Sequence, residues 1–82
     1  MNNKILFFTS ASCHPCKRIK KIIEDNNFFH ELNIKIIDVE LNFHIAKNMS
    51  VMKTPTFIKI DCNGKELKRH IGILTFSQLK NF

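Results

Sequence analysis

Ser12-Cys13-His14-Pro15-Cys16-Lys17 is the stretch on which the reading of this chain turns. Two cysteines separated by two residues either hold a metal ion or exchange electrons as a dithiol. What flanks the pair begins to separate these chemistries. Upstream, Ile5 to Thr9 is a short run of aliphatic and aromatic residues, the pattern of a buried strand. Downstream, past Ser10-Ala11-Ser12, apolar residues recur at Ile19, Ile22, Ile23 and Phe29 or Leu32, close to helical spacing. The spacing predicts a helix from near His14 to about Asn26 or beyond. Pro15 falls in its first turn, where a missing N–H does no harm. The cysteine pair is therefore expected at a strand-to-helix junction.

Further along, Ile34 to Val39 reads as a second strand and Leu41 to Met49 as a shorter helix, with Phe43, Ile45, Ala46 and Met49 as candidate core positions. Thr54-Pro55 then precedes Thr56-Phe57-Ile58-Lys59-Ile60, a strand that reaches the turn Asp61-Cys62-Asn63-Gly64. Asn-Gly is a strong hairpin signal, so Lys65 to Ile71 is read as the returning strand. Gly72 breaks it, and Thr75-Phe76-Ser77-Gln78 has the spacing of a capping box opening a last helix toward Phe82. The order is β-α-β-α-β-β-α. Alternating strands and helices in the first half imply a parallel unit with a right-handed crossover, and the hairpin adds an antiparallel pair. The expected fold class is α/β, a four-stranded mixed sheet flanked by three helices.

The chain has 82 residues, enough for one domain, expected over residues 1–82, with a single compact site. Hydrophobic residues make up 44%, and glycine and proline occur twice each, a globular composition rather than a disordered or fibrous one. No secretory signal is read at the start, since the apolar run Ile5-Leu6-Phe7-Phe8 is shorter than a signal core, and no membrane span is read anywhere. The expectation is a cytoplasmic monomer, away from the membrane. There structural disulfides are rare, and three cysteines, an odd number, argue against a stapled scaffold. A net charge of +6 and the basic cluster Lys17, Arg18, Lys20 and Lys21 raise the question of nucleic acid. No groove-reading motif or aromatic platform accompanies the cluster, so it is read as a solvated helix face and no nucleic-acid partner is expected.

Counting ligands weighs the metal alternative. A structural zinc site needs four and a catalytic one at least three. Cys13 and Cys16 supply two; Cys62, His14, His30, His44 and His70 remain, with no second pair at C-x2-C or H-x3-5-H spacing. An iron–sulfur cluster shared between two chains stays open as a minor alternative. No metal site and no cofactor are assigned. Cys62 is read as a small, partly buried hairpin residue.

Four features in order resemble the thioredoxin family: a strand leading into Cys13-His14-Pro15-Cys16-Lys17, the Thr54-Pro55-Thr56 segment, the Asn63-Gly64 hairpin, and His70 to Phe82. They span nearly the whole chain. It looks shorter than ordinary thioredoxins, lacking their first strand and helix, and is similar to the small thioredoxin-like and glutaredoxin-like proteins. The resemblance implies a cis peptide bond at Thr54-Pro55 lying against the cysteine pair, and docking of an extended substrate segment beside Thr54. It also implies disulfide-containing protein substrates, with re-reduction by a flavin-dependent reductase or by glutathione.

The residue chemistry leads the same way. Cys13 stands at the start of a predicted helix, where unpaired N–H groups and the positive end of the helix dipole stabilise a thiolate. A free cysteine is only a few per cent thiolate at neutral pH, so such stabilisation makes Cys13 the candidate nucleophile. Cys16, one turn deeper, is the candidate resolving residue, in reach of the mixed disulfide. His14 and Pro15 are read as redox-tuning residues that pull opposite ways. An imidazole beside the nucleophile favours the dithiol, whereas proline in the second intervening position is what reducing thioredoxins carry. Two departures from the family pattern stand out: Ser12 replaces the tryptophan before the first cysteine, and Phe7 replaces a buried aspartate. The glutathione-binding Gly-Gly and acidic pair of glutaredoxins are absent near Gly72. The function expected is a thiol-disulfide oxidoreductase that reduces protein disulfides. The alternatives are a redox-independent binding subunit or a metal carrier.

Overall fold

The computed structural model describes residues 3–82; Met1 and Asn2, the start of the expected domain, lie outside the described residues. Strand β1 (Lys4–Thr9) leads into helix α1 (His14–Asp25), then the single turn α2 (Phe28–Glu31), β2 (Ile34–Asp38), α3 (Phe43–Asn48), β3 (Thr56–Ile60), β4 (Glu66–Ile71) and α4 (Phe76–Lys80). The sheet order is β2-β1-β3-β4, with β1 parallel to β2 and antiparallel to β3, and β4 antiparallel to β3. This is the expected four-stranded mixed sheet, and the crossover from β1 to β2 runs through α1.

Alternation along β1 explains why Ile5 to Phe8, on both of its faces, are all apolar. Ile5 and Phe7 face a core shared with Ile19 and Ile23 of α1, Phe28 of α2 and Leu79 of α4. Leu6 and Phe8 face the opposite core, shared with Ile37, Ala46 of α3 and Ile58. A strand covered on both faces reads as a continuous hydrophobic run rather than as an alternating one. Phe7 and Phe57, paired across the strands, stack with ring centroids 4.8 Å apart and planes 6° from parallel. Such pairs add to the stabilisation from the area they bury.

Helix α1 buries Cys16, Ile19 and Ile23, while Lys17, Arg18 and Lys21 are exposed on its outer face. Lys21 meets Asp25 at 3.5 Å across one exposed turn, a pair of small energetic weight. One helix more than expected is present. Asn27 adopts a left-handed conformation (φ 57), which asparagine tolerates, and so separates α1 from the turn α2. That kink buries Phe28 and leaves Phe29 half-buried, where the spacing had pointed to Phe29 or Leu32.

Helix α3 is shorter than expected and less buried. Its start is delayed because the Asp38 carboxylate accepts the N–H groups of Glu40 and Leu41 in a local turn. Of the four candidate core positions, Ala46 is buried and Met49 half-buried. Phe43 and Ile45 are 61% and 41% exposed, which corrects that reading. A helix of six residues lies too briefly against the sheet to bury more than one side chain fully.

The hairpin and the last helix follow their local signals. Gly64 takes φ +85 in the turn, and the Asp61 side chain accepts the N–H groups of Asn63 and Lys65. The register shifts at Lys59/Ile60, a local bulge next to the turn. Thr75 caps α4 by accepting the Gln78 N–H, and the Gln78 side chain accepts the Thr75 N–H, which completes the capping box. Among the described residues, no helix is long and apolar enough to cross a membrane.

Two stability tests follow from this packing. Removing the stacked ring by Phe7→Ala should destabilise the fold by about 3–5 kcal/mol in urea titrations, the range for truncating a buried phenylalanine. Thr75→Ala removes only a helix cap, and the same titration should show a loss of about 1 kcal/mol.

Candidate functional site

Beyond Thr9 the chain turns through Ser10-Ala11-Ser12, and the Cys13 N–H closes the turn onto the Ser10 carbonyl at 3.2 Å. Cys13 is then the N-cap of α1, in extended backbone conformation (φ −87, ψ 100), with Pro15 in the first turn. Its Sγ accepts the Cys16 N–H at 3.2 Å. An N-cap side chain is expected to satisfy one of the orphan donors of the first turn, and here sulfur takes the place of the usual oxygen. The same donor and the helix dipole favour negative charge at Cys13 Sγ once it is a thiolate.

Cys13 and Cys16 are joined by a disulfide across a Cα–Cα distance of 5.2 Å, so the structure is that of the oxidised chain. The two positions are not equivalent. Cys13 retains 8% of its exposure between exposed Ser12 and His14, whereas Cys16 retains 1%. Both belong to one core cluster with Phe7, Ile19, Phe57, Leu74 and Leu79, Cys16 being the more deeply buried of the two. Among the described residues the buried polar side chains are Thr9 and Thr56, so no buried carboxylate or amine is placed to take up a proton from Cys16. Phe7, a member of that cluster, is fully buried.

The second segment arrives through the sheet. Because Phe8 pairs with Thr56, the end of β1 lies beside the start of β3, where the Thr54-Pro55 bond is cis. Ser10 Oγ and Thr54 Oγ1 are 3.3 Å apart and tie the two loops together. The Gly72 N–H donates to the Pro55 carbonyl at 2.9 Å, which brings in the end of β4. Gly72 has φ +109, a conformation that side-chain-bearing residues rarely adopt. Pro55 is buried and Thr54 half-buried at the surface. Cys13 with His14, Pro15 and Cys16 at the start of α1, and Thr54 with Pro55 before β3, are thus gathered at the same end of the sheet.

Sequence reasoning passed over Ser10 and Glu40. The first holds Thr54, and the second accepts the Ala11 N–H at 3.4 Å on the rim of the cysteine loop. A small polar residue directly after the strand was the available signal for Ser10; nothing local marked Glu40. Cys62 is exposed at the hairpin rather than partly buried, because the turn projects it beyond the end of β3. His30, His44 and His70 lie on α2, α3 and β4 respectively. Among the described residues, no group of three or more His, Cys, Asp or Glu side chains could hold a metal ion.

Comparison with known proteins agrees with the fold and with the cysteine spacing. The family model of the thioredoxin-like domain matches residues 2–82. The chain is 32% identical over 74 residues to Thioredoxin H2 of Arabidopsis thaliana, covering 87% of this chain and 55% of that protein. It therefore spans about half the length of that relative. It is 25% identical over 69 residues to the SPbeta prophage-derived thioredoxin-like protein YosR of Bacillus subtilis, covering 84% of this chain and 81% of the other. Among solved structures, the thioredoxin of Fasciola hepatica superposes with a TM-score of 0.84 at 28% identity, covering 98% of this chain and 76% of that one. A mutant thioredoxin from Halobacterium salinarum also gives 0.84, at 22% identity with 96% and 69% covered, a likeness of fold alone. With the family match running through both cysteines and on to residue 82, the chain belongs to the thioredoxin-like domain family.

Proposed function

We propose that this chain is a thiol-disulfide oxidoreductase that reduces protein disulfides, with Cys13 as nucleophile and Cys16 as resolving thiol. The observation that carries the reading is the asymmetry of the pair. Cys13 caps a helix between exposed neighbours and its sulfur accepts a backbone N–H, whereas Cys16 is the more deeply buried of the two. A thiolate favoured at Cys13 attacks one sulfur of a substrate disulfide, forming a mixed disulfide and releasing the other substrate sulfur as a thiolate that takes a proton. Cys16, as thiolate, then attacks Cys13 Sγ, forms the Cys13–Cys16 disulfide and releases the second substrate sulfur. Two electrons pass to the substrate, and the chain ends oxidised, the state of this structure.

The other parts of the site have roles in this scheme. Thr54 and Pro55 present backbone beside the cysteine loop, where an extended substrate segment docks. His14, exposed next to Cys13, and Pro15, which withholds a donor from the first turn of α1, tune the balance between dithiol and disulfide. A two-electron donor, a flavin-dependent thioredoxin reductase or glutathione, returns the pair to the dithiol. The protein acts as a monomer in the cytoplasm, as one domain, without a bound cofactor.

Two measurements test the proposal. Cys16→Ser should accumulate mixed disulfides between Cys13 and protein substrates on non-reducing gels, while Cys13→Ser should trap none and lose insulin reduction by at least about 100-fold, as loss of a covalent nucleophile does. Equilibration with glutathione should place the Cys13–Cys16 couple nearer to about −270 mV than to about −120 mV; the reverse would make the protein an oxidant.

A further inference from the structure

The segment from Met49 to Thr54, which carries the chain from α3 to Pro55, has no regular secondary structure. It nevertheless forms a wall of the surface beside the cysteine loop. Val51, Met52, Lys53 and Thr54 line a hollow of about 170 Å³ with Ser10 and Val39. Ser50, Val51 and Met52 continue into an apolar groove of about 500 Å³ against Phe43 and Ala46. The path includes an unfavourable step, because Ser50 adopts a left-handed conformation (φ 56) without being glycine. Something must hold it there.

Local bonds do part of this. The Val51 N–H donates to the Ala46 carbonyl at 2.9 Å, and the buried Thr56 hydroxyl donates to the Lys53 carbonyl at 2.6 Å. The remaining hold comes from β4, at the edge of the sheet. Arg69 pairs with Ile58 across the ladder, which turns its side chain to the α3 face. Its Nη2 donates to the Met49 carbonyl at 2.7 Å and its Nη1 to the Ser50 carbonyl at 3.3 Å. The Glu66 carboxylate grips the same guanidinium from the other side, accepting from Nε and from Nη2 at 2.8 Å each. Hydrogen bonding from Arg69 holds the Glu66 carboxyl below its ordinary range, so the pair remains ionised throughout the neutral range. A planar fork fixed by a carboxylate can serve two successive carbonyls at once, and a cation at a helix C-terminus is favoured; a lysine ammonium lacks the fork.

We infer that Arg69, oriented by Glu66, is a positioning residue for disulfide exchange: it sets the path of Met49–Thr54 and thereby the wall against which a protein substrate lies. The inference rests on the protein-disulfide reading above. It predicts a selective defect. A small disulfide needs only the sulfurs, whereas a protein substrate also needs the wall.

The test compares Arg69→Ala, Arg69→Lys and Glu66→Gln with the unaltered chain on insulin and on a small disulfide such as cystamine. Amide hydrogen exchange at Val51 and the Cys13–Cys16 potential are measured alongside. Arg69→Ala should raise KM for insulin about three- to tenfold with kcat, cystamine reduction and potential unchanged, since displacement of a positioning wall weakens docking rather than chemistry. Exchange at Val51 should quicken by about tenfold, as a locally released segment does. Arg69→Lys should recover less than half of either effect, and Glu66→Gln should fall between. Unchanged insulin KM overturns the inference, as does unchanged Val51 exchange. A parallel loss of cystamine reduction and a shifted potential also overturn it, because the residue would then support the whole fold. If the unaltered chain reduces cystamine but not insulin, the protein-disulfide reading fails, while quickened Val51 exchange in Arg69→Ala still supports the hold on the segment. Should Arg69→Ala not fold, Arg69→Lys and Glu66→Gln carry the same comparison.

Discussion

The antiparallel register of β1 against β3 is the constraint on which the rest of the structure depends. Stacking of Phe7 on Phe57 and burial of Leu6 against Ile58 fix that register on both faces at once. A slip of one residue would turn each buried side chain to the wrong face, so the alignment is strongly specified. Its outcome is that Thr9 and Ser10 end beside the place where Thr56 begins. The cysteine loop and the Thr54-Pro55 segment, some forty residues apart in the chain, are juxtaposed by core packing as well as by the Ser10–Thr54 contact.

Phe7 links this packing to chemistry. The ring that secures the register belongs to the same buried apolar cluster as Cys16, so one residue serves both the fold and the surroundings of the cysteine pair. Where the resemblance implied a buried aspartate, this chain has a stacked aromatic pair.

Legibility followed the range of the interactions. The central strand, the helix beginning at the cysteine pair, the Asn63-Gly64 turn and the Thr75–Gln78 cap are written in neighbouring residues, and periodicity or turn chemistry finds them. The placement of Cys13, Pro15 and Cys16 at the strand-to-helix junction was readable for the same reason. The break at Asn27 was not, because asparagine signals a left-handed turn only weakly among helix-compatible neighbours. The exposure of Phe43 and Ile45 depends on how little of α3 reaches the sheet, and the Arg69 bonds depend on the β3–β4 register. Both are tertiary facts with no local trace.

The hairpin has a consequence for handling the molecule. Strand β3 runs away from Pro55 toward Cys62, so the free thiol and the redox pair stand at opposite ends of a five-residue strand, roughly 17 Å of extended chain. In the oxidised state Cys62 is the single free thiol among the described residues. A maleimide dye, a spin label or a gold surface attached there would leave the exchange end facing solvent, giving the chain a built-in point for oriented immobilisation.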